Sequence, residues 1–219
     1  RRAEFGGIVT NLSREVELAN VRVQRGVRVD RALVEAERPD AVILATGARP
    51  YRPEIPIDDS IQVVDAWQVL RKEVRTGGRV VVADWRCDWI GPGIAELLTN
   101  EGCSVDLAVN GTHPGELLPL YVRDNIAAEL HRVGVRVTPY ARLYGGDGGT
   151  VYMQHTASEQ PILFENVETL VLCLGHEPVD PLSDMIRGLV PEVHVIGDSL
   201  APRTAEEAVY EGLEVAASL

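Results

Sequence analysis

The stretch Val80-Val81-Val82-Ala83, followed from Gly91 to Asn100 by a segment with Ile94, Leu97 and Leu98 on one face, decides the fold of this chain. A short β-branched apolar run reads as a buried strand, and the 3–4 spacing after it reads as an amphipathic helix. Gly102 then breaks the helix, Val105 to Val109 gives a second strand, and Tyr121 to Val133 gives a second helix with Val122, Ile126, Leu130 and Val133 in register. Gly134 ends that helix in the manner of a C-terminal glycine. Strand, helix, strand, helix predicts a parallel sheet covered on its faces by helices.

Working outward, Val21-Arg22-Val23 and Val27-Arg28-Val29 alternate as short strands do, and Ala41-Val42-Ile43-Leu44-Ala45 reads as a buried parallel strand. It ends in Thr46-Gly47, and the prolines from Pro50 to Pro56 cannot continue a central strand, so a crossing between domains is expected there. Past Gly145-Gly146-Asp147-Gly148-Gly149 the rhythm changes. Thr150 to His155 and Pro161 to Glu165 are too close for a crossover helix and predict a small antiparallel meander. Two further apolar runs follow, Leu170 to Leu174 ending in Gly175 and Val193 to Ile196 ending in Gly197-Asp198. The closing segment predicts a helix with a capping box of Thr204 and Glu207 and a face of small residues, Ala205, Ala208, Gly212 and Ala216.

With 45% hydrophobic and 25% charged residues over 219 positions, the composition is that of an ordinary soluble globular fold. The 33 acidic residues outnumber the 21 basic ones, and a net charge of −12 repels a phosphate backbone, which argues against nucleic acid as a partner. No apolar run reaches the roughly 20 residues that cross a bilayer, so no membrane partner is expected and the chain reads as cytoplasmic. Cys87, Cys103 and Cys173 form no Cys-x-x-Cys pair and read as small buried hydrophobes, and His113, His131, His155, His176 and His194 lack helical ligand spacing, so no metal site is expected. No acid–base pair stands out, and no catalytic residue is assigned.

The residues that carry ligand chemistry lie at two strand ends: Ala45-Thr46-Gly47, and Gly197-Asp198 just ahead of a helix. In an open parallel sheet, ligands lie outside the carboxyl ends of the strands, where a helix start offers free N–H groups and a positive dipole. Gly197 admits a close backbone approach, and Asp198 accepts hydrogen bonds from sugar-like hydroxyls. Each has a structural reading beside it. Gly197-Asp198 also fits a tight strand-to-helix turn, Ala45-Thr46-Gly47 fits the end of any buried strand, and Arg203 contacts a cofactor phosphate or pairs with Glu206 or Glu207. His176 and His194 read as structural.

Taken together in this order, Ala45-Thr46-Gly47, the Gly197-Asp198 strand end, the stretch from Ile196 to Gly212, and Phe5-Gly6-Gly7 resemble the C-terminal nucleotide-binding region of the trimethylamine dehydrogenase and 2,4-dienoyl-CoA reductase (NADH:flavin oxidoreductase) family. The resemblance implies an α/β fold of two Rossmann-like domains, with an NAD-type domain (76–165) inserted into an FAD-type domain (1–75 and 166–219). It implies FAD or ADP as ligand along Gly6, Gly7, Ala45, Thr46, Gly47, Gly197, Asp198, Arg203 and Thr204.

Two departures from the family pattern shape the expectation. The family's flavin barrel, four-cysteine cluster and first Gly-x-Gly-x-x-Gly turn are not found here, so the FAD-type domain is expected to be incomplete, cofactor binding weak in isolation, and the isolated chain inactive. FMN and a 4Fe–4S cluster are expected only in that other part. The implied partners are the barrel portion or another subunit, and an electron-transfer flavoprotein. In the inserted domain, Asp84-Trp85-Arg86-Cys87-Asp88-Trp89-Ile90 stands where a nicotinamide loop would turn on glycines, and the following strand ends at Asn110 rather than Asp or Glu. Two tryptophans and two aspartates are expected to fill that crevice and repel a pyrophosphate, although the loop also fits plain packing or a partner-docking surface. This favours the amine dehydrogenase side of the family, acting on an N-methylated amine. A non-catalytic docking or electron-transfer module, and an NAD(P)H-dependent flavin reductase subunit, are the rival readings.

Overall fold

The computed structural model describes residues 6–219, and Phe5 lies outside them. The chain forms two compact units, one of residues up to Val42 with Leu182–Val193, the other of Ile43–Pro181 with His194–Leu219. In chain order the elements are α1 (Gly6–Leu18), α2 (Arg31–Glu37), β1 (Ala41–Leu44), β2 (Ala48–Pro50), β3 (Gln62–Asp65), α3 (Ala66–Leu70), β4 (Arg79–Asp84), α4 (Ile90–Asn100), β5 (Ser104–Val109) and α5 (Leu120–Val133). They continue with β6 (Arg136–Thr138), β7 (Ala141–Asp147), β8 (Thr150–His155), β9 (Pro161–Phe164), β10 (Thr169–Cys173), β11 (His176–Pro178), α6 (Ser183–Ile186), β12 (Glu192–Val195) and α7 (Ala205–Ser218).

The fold is mixed α/β, built on a five-stranded parallel sheet of order β3-β10-β4-β5-β6. Strand periodicity of two sends Val80, Val82, Val105, Leu107, Val109 and Val171 to one face, where they meet Ile94 and Leu98 of α4 and Ile126 and Leu130 of α5. Val81, Ala83, Ala108, Leu170 and Leu172 face the other way, onto the antiparallel meander β7-β8-β9 through Leu143, Val151, Met153 and Phe164. Each fully buried Val or Leu contributes about 1.5–3 kcal/mol by leaving water. The meander turns at Gly148 (φ 52°) and Gly149 (φ 77°), a left-handed pair that glycine adopts without strain.

With Asp65 and Asp84, Asp106 of β5 is one of the buried acidic residues of this unit. Its carboxylate accepts from Arg79 of β4 and from both Nε (2.8 Å) and Nη2 (2.9 Å) of Arg136 on β6. Three adjacent strands are thus clamped at their entry end.

One expectation changes. Val21 to Val29 forms no strand; Val21, Val23, Val27 and Val29 are 50–57% exposed, since alternating valines become a strand only when a neighbouring ladder takes up their backbone groups. Strand β10 pairs with both β3 and β4 and is buried along its whole length. Strand β3 forms one edge of this sheet. The chain passes between β1 and β3 and again after β10 through an antiparallel pair, β2 with β11.

Candidate nucleotide-binding edges

The first edge is formed where β1 and β12 end. The carbonyl of Leu44 accepts from Ile196 N (3.0 Å) and from the buried hydroxyl of Ser199 (2.9 Å), so the two strand ends lie side by side. Beyond β1, Ala45 and Thr46 are exposed, and Gly47 has φ 77° with open space where a side chain would begin. Thr46 donates its hydroxyl to the carbonyl of Val179, and Val179 N donates to Gly47 O at 2.9 Å. Beyond β12 the chain turns tightly through Gly197–Ser199. Gly197 has φ 62°, and a Cβ there would stand 3.4 Å from that of Ala208, so glycine lets α7 pack against the turn.

Charge at this edge is arranged around Glu211 of α7. It accepts Gly197 N at 2.6 Å and pairs with Arg203, while Asp198 Oδ1 accepts Arg203 N at 3.3 Å. Arg203 therefore pairs with Glu211 rather than with Glu206 or Glu207. Thr204 caps α7 in the expected box, with Thr204 N donating to Glu207 Oε2 at 3.0 Å and Glu206 N to the Thr204 hydroxyl at 3.3 Å. Of the residues expected to bind cofactor, Ala45, Thr46, Gly47, Gly197, Asp198, Arg203 and Thr204 share this unit. Gly6 and Gly7 open α1 in the other unit, with open space at both positions.

The second edge is the carboxyl end of β4 and β5. Asp84, the last residue of β4, is fully buried; its Oδ1 accepts Arg86 N (3.1 Å) and Cys87 N (2.9 Å), while Oδ2 has no hydrogen-bond partner. Burial pushes its carboxyl up to about 7. Asn110 N donates to Asp84 O at 2.8 Å, and the Asn110 side-chain oxygen is likewise buried without a partner. Burial also raises the Cys87 thiol to about 11 and the Cys173 thiol well above its usual value, as expected of inert buried cysteines. The tryptophans do not both fill the crevice. Trp85 packs with the meander-side core, near Tyr51 (6.4 Å between rings) and under the Arg142 guanidinium (5.5 Å), and Trp89 is 40% exposed.

Arg86 and His176 are placed at these edges by contacts that sequence reasoning missed. Arg86 donates to the carbonyl of Pro202 (3.3 Å) and pairs with Asp88 (3.4 Å), linking the β4 loop to the segment after Gly197. Its stem lies against Gly175, where a Cβ would meet Arg86 Cδ at 3.2 Å. The His176 ring stacks 5.3 Å from Trp67, and burial, then the nearby Arg86 charge, holds its pKa below the usual value. The contacts of both residues reach about a hundred positions along the chain, and no local pattern announces them.

Both edges lie at carboxyl ends of strands, as dinucleotide-binding folds place them. No family model matches the sequence. The N,N-dimethylglycine/sarcosine dehydrogenase of Chromohalobacter salexigens is 29% identical over 152 residues, covering 61% of this chain and 22% of that protein. The NADH oxidase of Thermoanaerobacter brockii is 27% identical over 217 residues, covering 94% of this chain and 32% of its own length. Histamine dehydrogenase from Rhizobium sp. 4-9 superposes with a TM-score of 0.81 at 21% identity, over 88% of this chain and 32% of that one.

The chain is similar to the nucleotide-binding region of the trimethylamine dehydrogenase and 2,4-dienoyl-CoA reductase family. Its relatives are oxidoreductases, and it spans less than a third of the length of these three. No helix among the described residues is long and apolar enough to cross a membrane.

Proposed function

We propose that this chain is the FAD- or ADP-binding portion of a flavin-dependent amine dehydrogenase or demethylase, a cytoplasmic enzyme acting on an N-methylated amine, whose redox chemistry lies in a barrel outside these 219 residues. The observation that carries the reading is the first edge. Gly47 leaves open space in front of the β1 end, and Asp198 uses one carboxylate oxygen on Arg203 N while retaining acceptor capacity for ribose hydroxyls. Similarity to a dimethylglycine/sarcosine dehydrogenase supports the amine substrate. On this reading residues 76–165 form the NAD-type insertion, and the barrel portion or another subunit, with an electron-transfer flavoprotein, are the partners. A bound flavin would supply the electron-accepting ring; the chain's own residues hold the nucleotide end.

The test is the purified chain itself. Flavin absorbance, or ADP released on denaturation and identified by mass, is the expected result, and Asp198→Ala should lower the retained nucleotide. A colourless, folded chain that neither carries nor takes up FAD or ADP overturns the proposal. A second reading, an NAD(P)H-dependent flavin reductase subunit, draws on the similarity to an NADH oxidase across nearly the whole chain. It requires the second edge to accept NADH.

A further inference from the structure

In a parallel α/β unit, the phosphates of a dinucleotide lie in front of the helix that follows the first strand, held by loop and helix N–H groups and by the positive end of the helix dipole. Here that strand is β4 and that helix is α4, and donors around the position already have internal acceptors. Arg86 N and Cys87 N donate to Asp84 Oδ1. Ile90 N, at the first helical position, donates to Asp88 Oδ1 at 2.8 Å, and Gly93 N donates to the Trp89 carbonyl at 3.2 Å. Pro92, between them, has no N–H to give.

The space is claimed as well. A Cβ built on Gly91, in the first turn of α4, would stand 2.3 Å from Asp84 Oδ2 and 2.5 Å from its carboxyl carbon. The carboxyl thus packs directly against the first turn of α4, and Oδ2 sits there without a hydrogen-bond partner. Asp88 adds a second carboxylate, 17% exposed, to the same loop.

We infer that Asp84 is an internal plug, its carboxyl occupying the phosphate position at the start of α4 and closing this edge to nicotinamide dinucleotides. The Asp84 carboxyl supplies bulk and takes the donors an incoming anion would use, and the Asp88 carboxylate on the same loop adds charge of the same sign as a phosphate. Opening the edge requires removal of the carboxyl while the turn it organises is kept. Serine does this, because its hydroxyl still accepts from the loop N–H groups of Arg86 and Cys87. The inference stands apart from the flavin reading of the first edge, which NADH could also occupy, so the measurement must report on α4 itself.

NADH is titrated into the chain and into its Asp84→Ser and Asp84→Asn variants, with affinity measured together with amide hydrogen exchange at Gly91 and Gly93. The native chain and Asp84→Asn, which keeps the bulk, should show no added protection at these amides when NADH is present. Asp84→Ser should bind at least about tenfold more tightly, a change of roughly 1.4 kcal/mol, with both amides protected by the ligand. NADH-dependent protection of Gly91 and Gly93 in the native chain or in Asp84→Asn overturns the plug, as does a folded Asp84→Ser that binds no better. Should Asp84→Ser fail to fold, Asp84→Gly is read in its place. Failure of both to fold also overturns the inference, since the carboxyl would then be a structural requirement.

Discussion

Asp84 and Gly91 are mutually dependent: the buried carboxyl of one lies where the side chain of the other would begin, with only 2.3 Å between Oδ2 and the place a Cβ on Gly91 would take. Gly91→Ala must therefore displace either α4 or Asp84. The expected cost is about 2–4 kcal/mol, the range of overpacked cores joined to a disturbed polar group. In an Asp84→Ala background the same change should cost less than about 1 kcal/mol, because a methyl on a helical glycine is otherwise favourable. Urea denaturation of the four proteins of this cycle measures the coupling.

The pH dependence of stability follows from the same carboxyl. In the unfolded chain Asp84 loses its proton near its ordinary value of 3.8, whereas burial holds the proton in the folded state until about pH 7. Its folded pKa is raised, so its stabilising contribution is complete below 3.8 and is lost as the pH climbs through about 7, above which the curve is flat. The loss is on the order of 4 kcal/mol. Asp84→Asn, with no proton to lose, should gain on the native protein steadily across this window, and urea midpoints taken along it read the difference.

What the sequence makes legible is what depends on near neighbours. The alternation in Val80–Ala83 and Val105–Val109, the 3–4 spacing of Ile94 and Leu98, and the Thr204–Glu207 box are set within a few residues, and each appears as expected. The partner of a strand is set by the whole fold. The run at Leu170–Cys173 announces burial but not that β3 and β4 flank it, and Val21–Val29 announces alternation but not the lack of a ladder. At the candidate edges, the glycines and Asp198 are visible as residue types. The engagement of Arg203 with Glu211 and of Arg86 with Pro202 arises only once α7 and the β4 loop converge on the turn after β12.

Asp106 tests the clamp across β4, β5 and β6. Its carboxylate is nearly buried, while Arg79 and Arg136 keep partial contact with solvent, with side chains 26% and 56% exposed. Removing the acid strands two cations that can still hydrate, so Asp106→Ala should cost about 1–3 kcal/mol, less than a fully buried pair. Arg136→Ala, which leaves Arg79 on the carboxylate, should cost less than that. Thermal denaturation of the two variants ranks them.

Thr204 tests whether α7 holds the first edge in place. Its cap fixes the start of the helix that supplies Ala208 against Gly197 and Glu211 to the Gly197 N–H. Thr204→Ala should cost about 1 kcal/mol, the usual worth of a side-chain cap. Glu211→Gln keeps an acceptor for Gly197 N but weakens the attraction to Arg203, freeing a cation beside Asp198. If the first edge binds the phosphates of FAD or ADP, Glu211→Gln should retain nucleotide as well as or better than the native chain, because a negative charge has been withdrawn from the site. Thr204→Ala should lose nucleotide in proportion to its lost stability. The opposite order, with Glu211→Gln the poorer binder, would mean that Glu211 itself contacts the ligand, through the ribose hydroxyls a carboxylate accepts, and would move the nucleotide toward α7.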